Sequence, residues 1–153
     1  MKDQTKPNTN FSGDEANILN QMALFEVDDD RLDIEGISEL IEALFQKLGS
    51  EDVGNIVANA VNSGIFSLEQ GRKFLEISMW SGSTNGAQLN STLEMWLEEG
   101  NDPVRIDLAL HQGIFPFSDK EKMSGVFSKI KNRYPQFSDF INEKIKRRDI
   151  QGV

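Results

Sequence analysis

One stretch of the sequence repeats its apolar residues with the period of an α-helix, and no other feature constrains the fold as strongly. The apolar positions are Ile34, Ile37, Ile41, Leu44 and Leu48. At 3.6 residues per turn they fall on one face, and the glycine that follows, residue 49, suits a helix C-cap. The pattern predicts a helix over residues 34–48 that buries this face.

Shorter signals predict further helices along the chain. Capping boxes, in which Glu or Gln follows Ser after three residues, occur at Ser12 with Glu15, Ser67 with Gln70, and Ser118 with Glu121. Asp102-Pro103 and Tyr134-Pro135 are also typical of helix starts, and residues 81–86 of a turn. No stretch alternates with period two. We therefore expect an all-α fold of seven or eight short helices, arranged as stacked helical hairpins or two three-helix units.

A seven-residue motif occurs twice, 49 positions apart, at residues 60–66 (AVNSGIF) and 109–115 (ALHQGIF). In both copies the glycine, Gly64 or Gly113, is predicted to take the left-handed conformation that ends a helix. One interpretation is a duplication with repeat units 51–99 and 102–148. The other is chance similarity between two amphipathic helical hairpins.

The length of 153 residues fits one domain with a substantial core. Residues 1–12 lack apolar periodicity, so we expect a flexible N-terminal arm followed by a single helical domain over residues 13–153. The sequence contains no cysteine, no apolar run of about 20 residues and no signal-peptide pattern. These features predict a cytoplasmic protein that does not enter the membrane.

The charge is strongly acidic and unevenly distributed. The 25 acidic and 16 basic residues give a net charge of −9; residues 1–56 contribute −9, residues 57–117 contribute −4 and residues 118–153 contribute +4. A protein that binds a nucleic-acid backbone normally presents a basic face. The balance favours a basic protein partner, although charged runs of this kind also serve simply to solvate a surface.

The residues that support catalysis or metal binding are scarce. His111 is the only histidine, and Asp107 precedes it by four residues, but no G-x-S-x-G turn supplies a nucleophile. His111 is better interpreted as a histidine near the end of its helix than as a catalytic base. Residues 28–30 together with Asp33 do not match the ligand spacing of a calcium loop. We therefore expect no catalytic residue, cofactor site or metal site, and no enzyme activity.

Two further features allow two interpretations each. The basic residues near the C-terminal end are Lys144, Lys146, Arg147 and Arg148. One interpretation is that they stabilise the C-terminal end of a helix, where the helix dipole is negative. The other is that they contact nucleic acid. The tryptophans suit core or interface positions. Trp96, in one helical column with Leu89 and Leu93, is expected in the core, whereas Trp80, next to the predicted turn, suits an interface.

The partner-binding residues predicted from these patterns are Asp28, Asp29, Asp30, Glu35, Glu39, Glu42 and Trp80. The three glutamates fall at i, i+4 and i+7, so they share the helix face opposite the apolar stripe, where like charges repel. The sequence predicts a stoichiometric binding protein, in its most concrete form an acidic immunity or antitoxin-type inhibitor that covers the active site of a basic nuclease-like toxin. The alternative is a helical adaptor or regulatory subunit.

Overall fold

The computed structural model describes residues 13–48, 50–80 and 85–153, and within them it contains eight α-helices and no strand. The helices are α1 (Gly13–Met22), α2 (Ile34–Leu48), α3 (Ser50–Asn62), α4 (Leu68–Met79), α5 (Asn85–Glu99), α6 (Pro103–Leu110), α7 (Lys120–Arg133) and α8 (Ser138–Gln151). A 3-10 turn, Pro135–Phe137, precedes α8. The predicted all-α fold is confirmed.

Some predictions fall on parts of the chain outside the described residues. These are the N-terminal arm, the capping residue Ser12, the cap at residue 49 and positions 81–84 of the predicted turn. The remaining two turn positions, Asn85 and Gly86, begin α5, so the turn prediction is wrong there. Asparagine and glycine are common both in turns and at helix starts, because both kinds of position accommodate the backbone conformations that these residues prefer.

The chain divides into two compact units, residues 1–89 and 90–153, and the boundary falls within α5. It also falls inside the predicted repeat unit 51–99. The single domain and the duplication both stay predictions.

In the first unit, α2 packs against α1, α3 and α4. It begins and ends where its periodicity predicts, and Ile37, Ile41 and Leu44 are fully buried. Ile34 is 50% exposed, which corrects the expectation that the whole stripe is buried. As the first helical residue, Ile34 has no preceding turn to continue the packed face.

The end of α3 confirms the predicted glycine cap. Gly64 has φ of 84°, and the Ile65 amide donates to the Ala60 carbonyl at 2.9 Å. The Gly64 amide donates to the Val61 carbonyl, which completes a Schellman motif. The capping box that starts α4 is also present, with both of its hydrogen bonds between Ser67 and Gln70.

The second copy of the motif ends its helix differently. α6 is capped at its start by Asp102 as predicted, but it ends at Leu110, and Gly113 does not have a positive φ, so that prediction is wrong. Side chains satisfy the terminal carbonyls in place of a Schellman motif. Gln112 Nε2 donates to the Leu108 carbonyl at 3.0 Å, and Lys144 Nζ donates to the Leu110 carbonyl at 3.1 Å.

The start of α7 also differs from the prediction by one residue. Asp119, rather than Ser118, is the N-cap, and its Oδ1 accepts from the Glu121 amide at 2.9 Å. Aspartate and serine cap helices about equally well, so the capping-box pattern at Ser118 does not exclude the adjacent aspartate as the cap.

Candidate protein-binding surface

The connection between α1 and α2, residues 23–33, carries three of the six acidic residues predicted to bind a partner: Asp28, Asp29 and Asp30. Its backbone is folded into successive turns: the Asp29 amide donates to the Glu26 carbonyl at 3.1 Å, and the Leu32 amide donates to the Asp29 carbonyl at 3.0 Å. Asp33 Oδ1 then accepts from the Gly36 amide at 2.9 Å, at the start of α2. Asp28, Asp29 and Asp30 therefore lie on a hydrogen-bonded loop.

Gln70, from the first turn of α4, holds this loop in place. Its Nε2 donates to the carbonyls of Ala23 and Phe25, both at 3.0 Å. Its Oε1 accepts from the Ser67 amide at 2.8 Å in the capping box. One glutamine thus caps a helix and fixes the residues on both sides of Leu24, a role that the capping-box pattern alone did not indicate.

Leu24 lies between these two bonded carbonyl groups and is 82% exposed. Open grooves lie on either side of the Leu24–Phe25 pair, which lines both. One groove, about 750 Å³, is also lined by Glu26, Asp28, Asp29 and Glu69 among others. The other, about 420 Å³, is also lined by Gln21, Gly36, Glu39 and Leu40. Sequence reasoning missed Leu24, because it lies in a loop with no periodicity.

The predicted acidic residues are exposed to different degrees. Asp28, Asp30, Glu35 and Glu39 are exposed, whereas Asp29 and Glu42 are half-buried. The predicted column of three glutamates is therefore fully exposed only at Glu35 and Glu39. We call Glu26, Asp28, Asp29, Asp30, Glu35 and Glu39 the acidic surface.

Within the described residues, one member of the acidic surface has a cation partner: Asp29 Oδ1 lies 3.4 Å from Arg31 Nε. Residues 23–42 contain eight acidic residues and one basic residue. Over the whole sequence, residues 1–89 contain 15 acidic and 6 basic residues, and residues 90–153 contain 10 of each. The net charge of −9 therefore belongs entirely to the first unit.

Trp80, the remaining predicted partner-binding residue, caps the C-terminal end of α4 and is 83% exposed. It lines neither of the grooves beside Leu24. Trp80 is thus accessible, but the structure does not bring it into the acidic surface.

In the second unit, two of the four basic residues near the C-terminal end are buried. Lys146 and Arg147 are exposed, whereas Lys144 is 2% and Arg148 is 3% exposed. Neither buried cation has an Asp or Glu carboxylate within 4 Å among the described residues, and Arg148 Nη2 donates to the Val153 oxygen at 3.2 Å. Because Lys144 and Arg148 are buried, they cannot contact nucleic acid directly. The nucleic-acid interpretation is therefore wrong for these two residues.

Main-chain oxygens of the α6–α7 connection surround the two buried cations. Lys144 Nζ donates to the carbonyls of Leu110 at 3.1 Å and Gln112 at 2.9 Å. Arg148 donates to the carbonyls of Pro116 and Ser118, both at 3.1 Å. Burial, with a smaller effect of the neighbouring Arg147 charge, lowers the pKa of Lys144 from 10.5 to about 8. These residues stabilise a loop.

His111 and Trp96 occupy structural positions. His111 caps α6, stacks on Phe140 with ring centroids 4.2 Å apart, and its Nδ1 lies 2.9 Å from the Asp107 carbonyl. Trp96 is buried in the second unit, as predicted, with the Arg105 guanidinium 5.3 Å from the ring centroid. Packing and helix capping therefore explain the positions of His111 and Trp96.

The described residues contain no group of three or more metal-ligating side chains. In the same part of the chain, no helix is long and apolar enough to span a membrane. Comparisons with protein-family models, curated proteins and solved structures found no match.

Proposed function

We propose that this chain is a protein-binding module whose acidic surface docks on a basic partner protein. The observation that supports it is the concentration of carboxylates in residues 23–42, where within the described part of the chain only Asp29 is paired with a cation. Neighbouring like charges such as Glu35 and Glu39 cost a few tenths of a kcal/mol in a helix. Folding gains nothing from that repulsion, whereas a basic partner would relieve it.

In its concrete form, the proposal is an inhibitor of the immunity or antitoxin type that covers the active site of a basic, nuclease-like toxin. Charge complementarity suits this role because it accelerates encounter, with association rate constants of about 10⁸–10⁹ M⁻¹s⁻¹ at low salt. A stoichiometric inhibitor must bind its target before the target acts. Speed of association therefore matters as much as affinity.

A second candidate is a helical adaptor or regulatory subunit with no inhibitory role. The exposure of Trp80 favours it, because tryptophan is enriched at interface hot spots and this one lines neither groove of the acidic surface. An adaptor would use Trp80 for one partner and the acidic surface for another.

The experiment is stopped-flow association with a basic protein encoded by an adjacent gene. The variant Glu35→Lys/Glu39→Lys is compared with Glu99→Lys/Glu143→Lys, which changes the net charge equally through exposed acids of the second unit. We expect a one-to-one complex whose association slows with salt, and about a tenfold lower rate constant for the first variant than for the second.

Equal rate constants and equal salt dependence for the two variants would contradict a role for the acidic surface. Loss of the partner's nuclease activity in the complex would distinguish the inhibitor from the adaptor.

A further inference from the structure

Leu24 and Phe25 form an apolar ridge with carboxylates on both sides. Glu26, Asp28 and Asp29 line the groove on one side, and Glu39 lines the groove on the other. In a monomeric soluble protein, a scattered exposed leucine needs no explanation. Here the leucine is shared by two grooves that members of the acidic surface also line.

The backbone of this ridge is fixed. Gln70 bonds the carbonyls on both sides of Leu24, so the backbone at Leu24 cannot rearrange without breaking those hydrogen bonds. A preorganised loop loses little conformational entropy on binding, which favours affinity. The loop therefore presents an apolar side chain to solvent in a set position.

We propose that this ridge, Leu24 and Phe25, docks a basic amphipathic segment of the partner protein, with an apolar side chain of that segment packed against Leu24. This inference rests on the proposed function and specifies the chemistry of the bound segment. Charge complementarity selects the occupant: an acidic or neutral apolar segment would bury the carboxylates of Glu26, Asp28 and Glu39 unpaired, which is costly. A segment with lysine or arginine beside its apolar residues pairs them.

A second copy of this chain is the competing occupant. α8 carries exposed Lys146 and Arg147, and Ile150 on the same helix is 74% exposed. Docking of α8 on the ridge of another copy would join different surfaces, and such heterologous contacts produce rings or open chains. A partner protein avoids that outcome, and the experiment separates the two.

The experiment uses the full chain and two fluorescent 18-residue peptides of equal charge, one with lysine and leucine at amphipathic helical spacing, the other with glutamine in place of every leucine. Fluorescence anisotropy gives Kd, and amide chemical shifts locate the site. We expect the leucine peptide to bind more tightly than the glutamine peptide, with shifts at residues 23–27, 36–40 and 67–70.

Leu24→Ser should weaken the leucine peptide about tenfold or more, from the loss of one buried leucine contact. The matched control is Met95→Ser, which removes another exposed apolar side chain, in the second unit. It should leave Kd unchanged.

Four results would overturn the inference. Equal binding of both peptides would show that charge alone acts, and would leave the proposed function standing. Shifts confined to residues 90–153 would place the site elsewhere. Self-association in analytical ultracentrifugation that is abolished by Leu24→Ser and by Ile150→Ser would assign the ridge to a second copy. Absence of binding by either peptide would count against the inference, whereas the stopped-flow experiment with the basic protein decides the proposed function independently.

Discussion

The buried ammonium group of Lys144 makes the stability of the protein depend on pH in an unusual direction. Its pKa is lowered to about 8 in the folded protein, against 10.5 for an ordinary lysine. Between these values the unfolded chain binds more protons than the folded one. The free energy of unfolding therefore rises with pH across that interval. The reason is that the cost of burying the charge disappears as Lys144 is deprotonated in the folded state.

The size of the effect follows from the two pKa values. Integrated from pH 7 to pH 10, the difference in proton binding gives about 2–3 kcal/mol of added stability. Lys144→Met removes the titrating group, so it removes this dependence. It also leaves the carbonyls of Leu110 and Gln112 without their donor, at about 1–3 kcal/mol for each group.

Urea unfolding at a series of pH values measures the prediction. The free energy of unfolding of the wild type should rise by about 2–3 kcal/mol relative to Lys144→Met between pH 7 and pH 10. Lys146→Met is the matched control, because Lys146 is exposed on the same helix, and it should run parallel to the wild type. A difference between wild type and Lys144→Met that stays constant with pH would refute the reasoning.

Three further perturbations test local features through the free energy of unfolding in urea. Gly64→Ala should destabilise the folded protein by about 1 kcal/mol or more, because φ is positive at residue 64. Gly113→Ala should change the free energy of unfolding by less than about 0.5 kcal/mol. Equal effects of the two substitutions would contradict the two cap assignments. Gln70→Ala should cost about 2 kcal/mol and release the amides of residues 23–27 to faster hydrogen exchange, and unchanged exchange would show that Gln70 does not hold the loop. Asp102→Ala should cost about 1 kcal/mol through loss of the N-cap of α6, and no loss would mean that the cap is replaced.

The elements that the sequence predicts well are those with local causes. The bounds of α2 follow from its apolar period, and the caps Asp102 and Ser67 follow from short-range hydrogen bonding to the next backbone amides. Burial of Trp96 follows from its place in an apolar helical column. Each of these depends on residues within one or two turns.

The features that the sequence did not predict depend on partners far along the chain. Lys144 and Arg148 are buried because they donate to loop carbonyls about 30 residues earlier, and main-chain acceptors leave no side-chain pattern. The same carbonyls explain why Gly113 does not repeat the cap of Gly64. The exposed acids among the predicted binding residues needed only local reasoning. Leu24 was not predicted, because its position depends on Gln70, which lies 46 positions away.

Docking of the acidic surface on a basic protein is tested most directly by hydrogen–deuterium exchange of the full chain, alone and in its complex with the basic partner protein. The acidic surface and the Leu24–Phe25 ridge should become protected, with the largest decrease in exchange at residues 23–42 and a smaller one at residues 67–70. Protection confined to residues 90–153, with unchanged exchange at residues 23–42, would contradict docking through this surface.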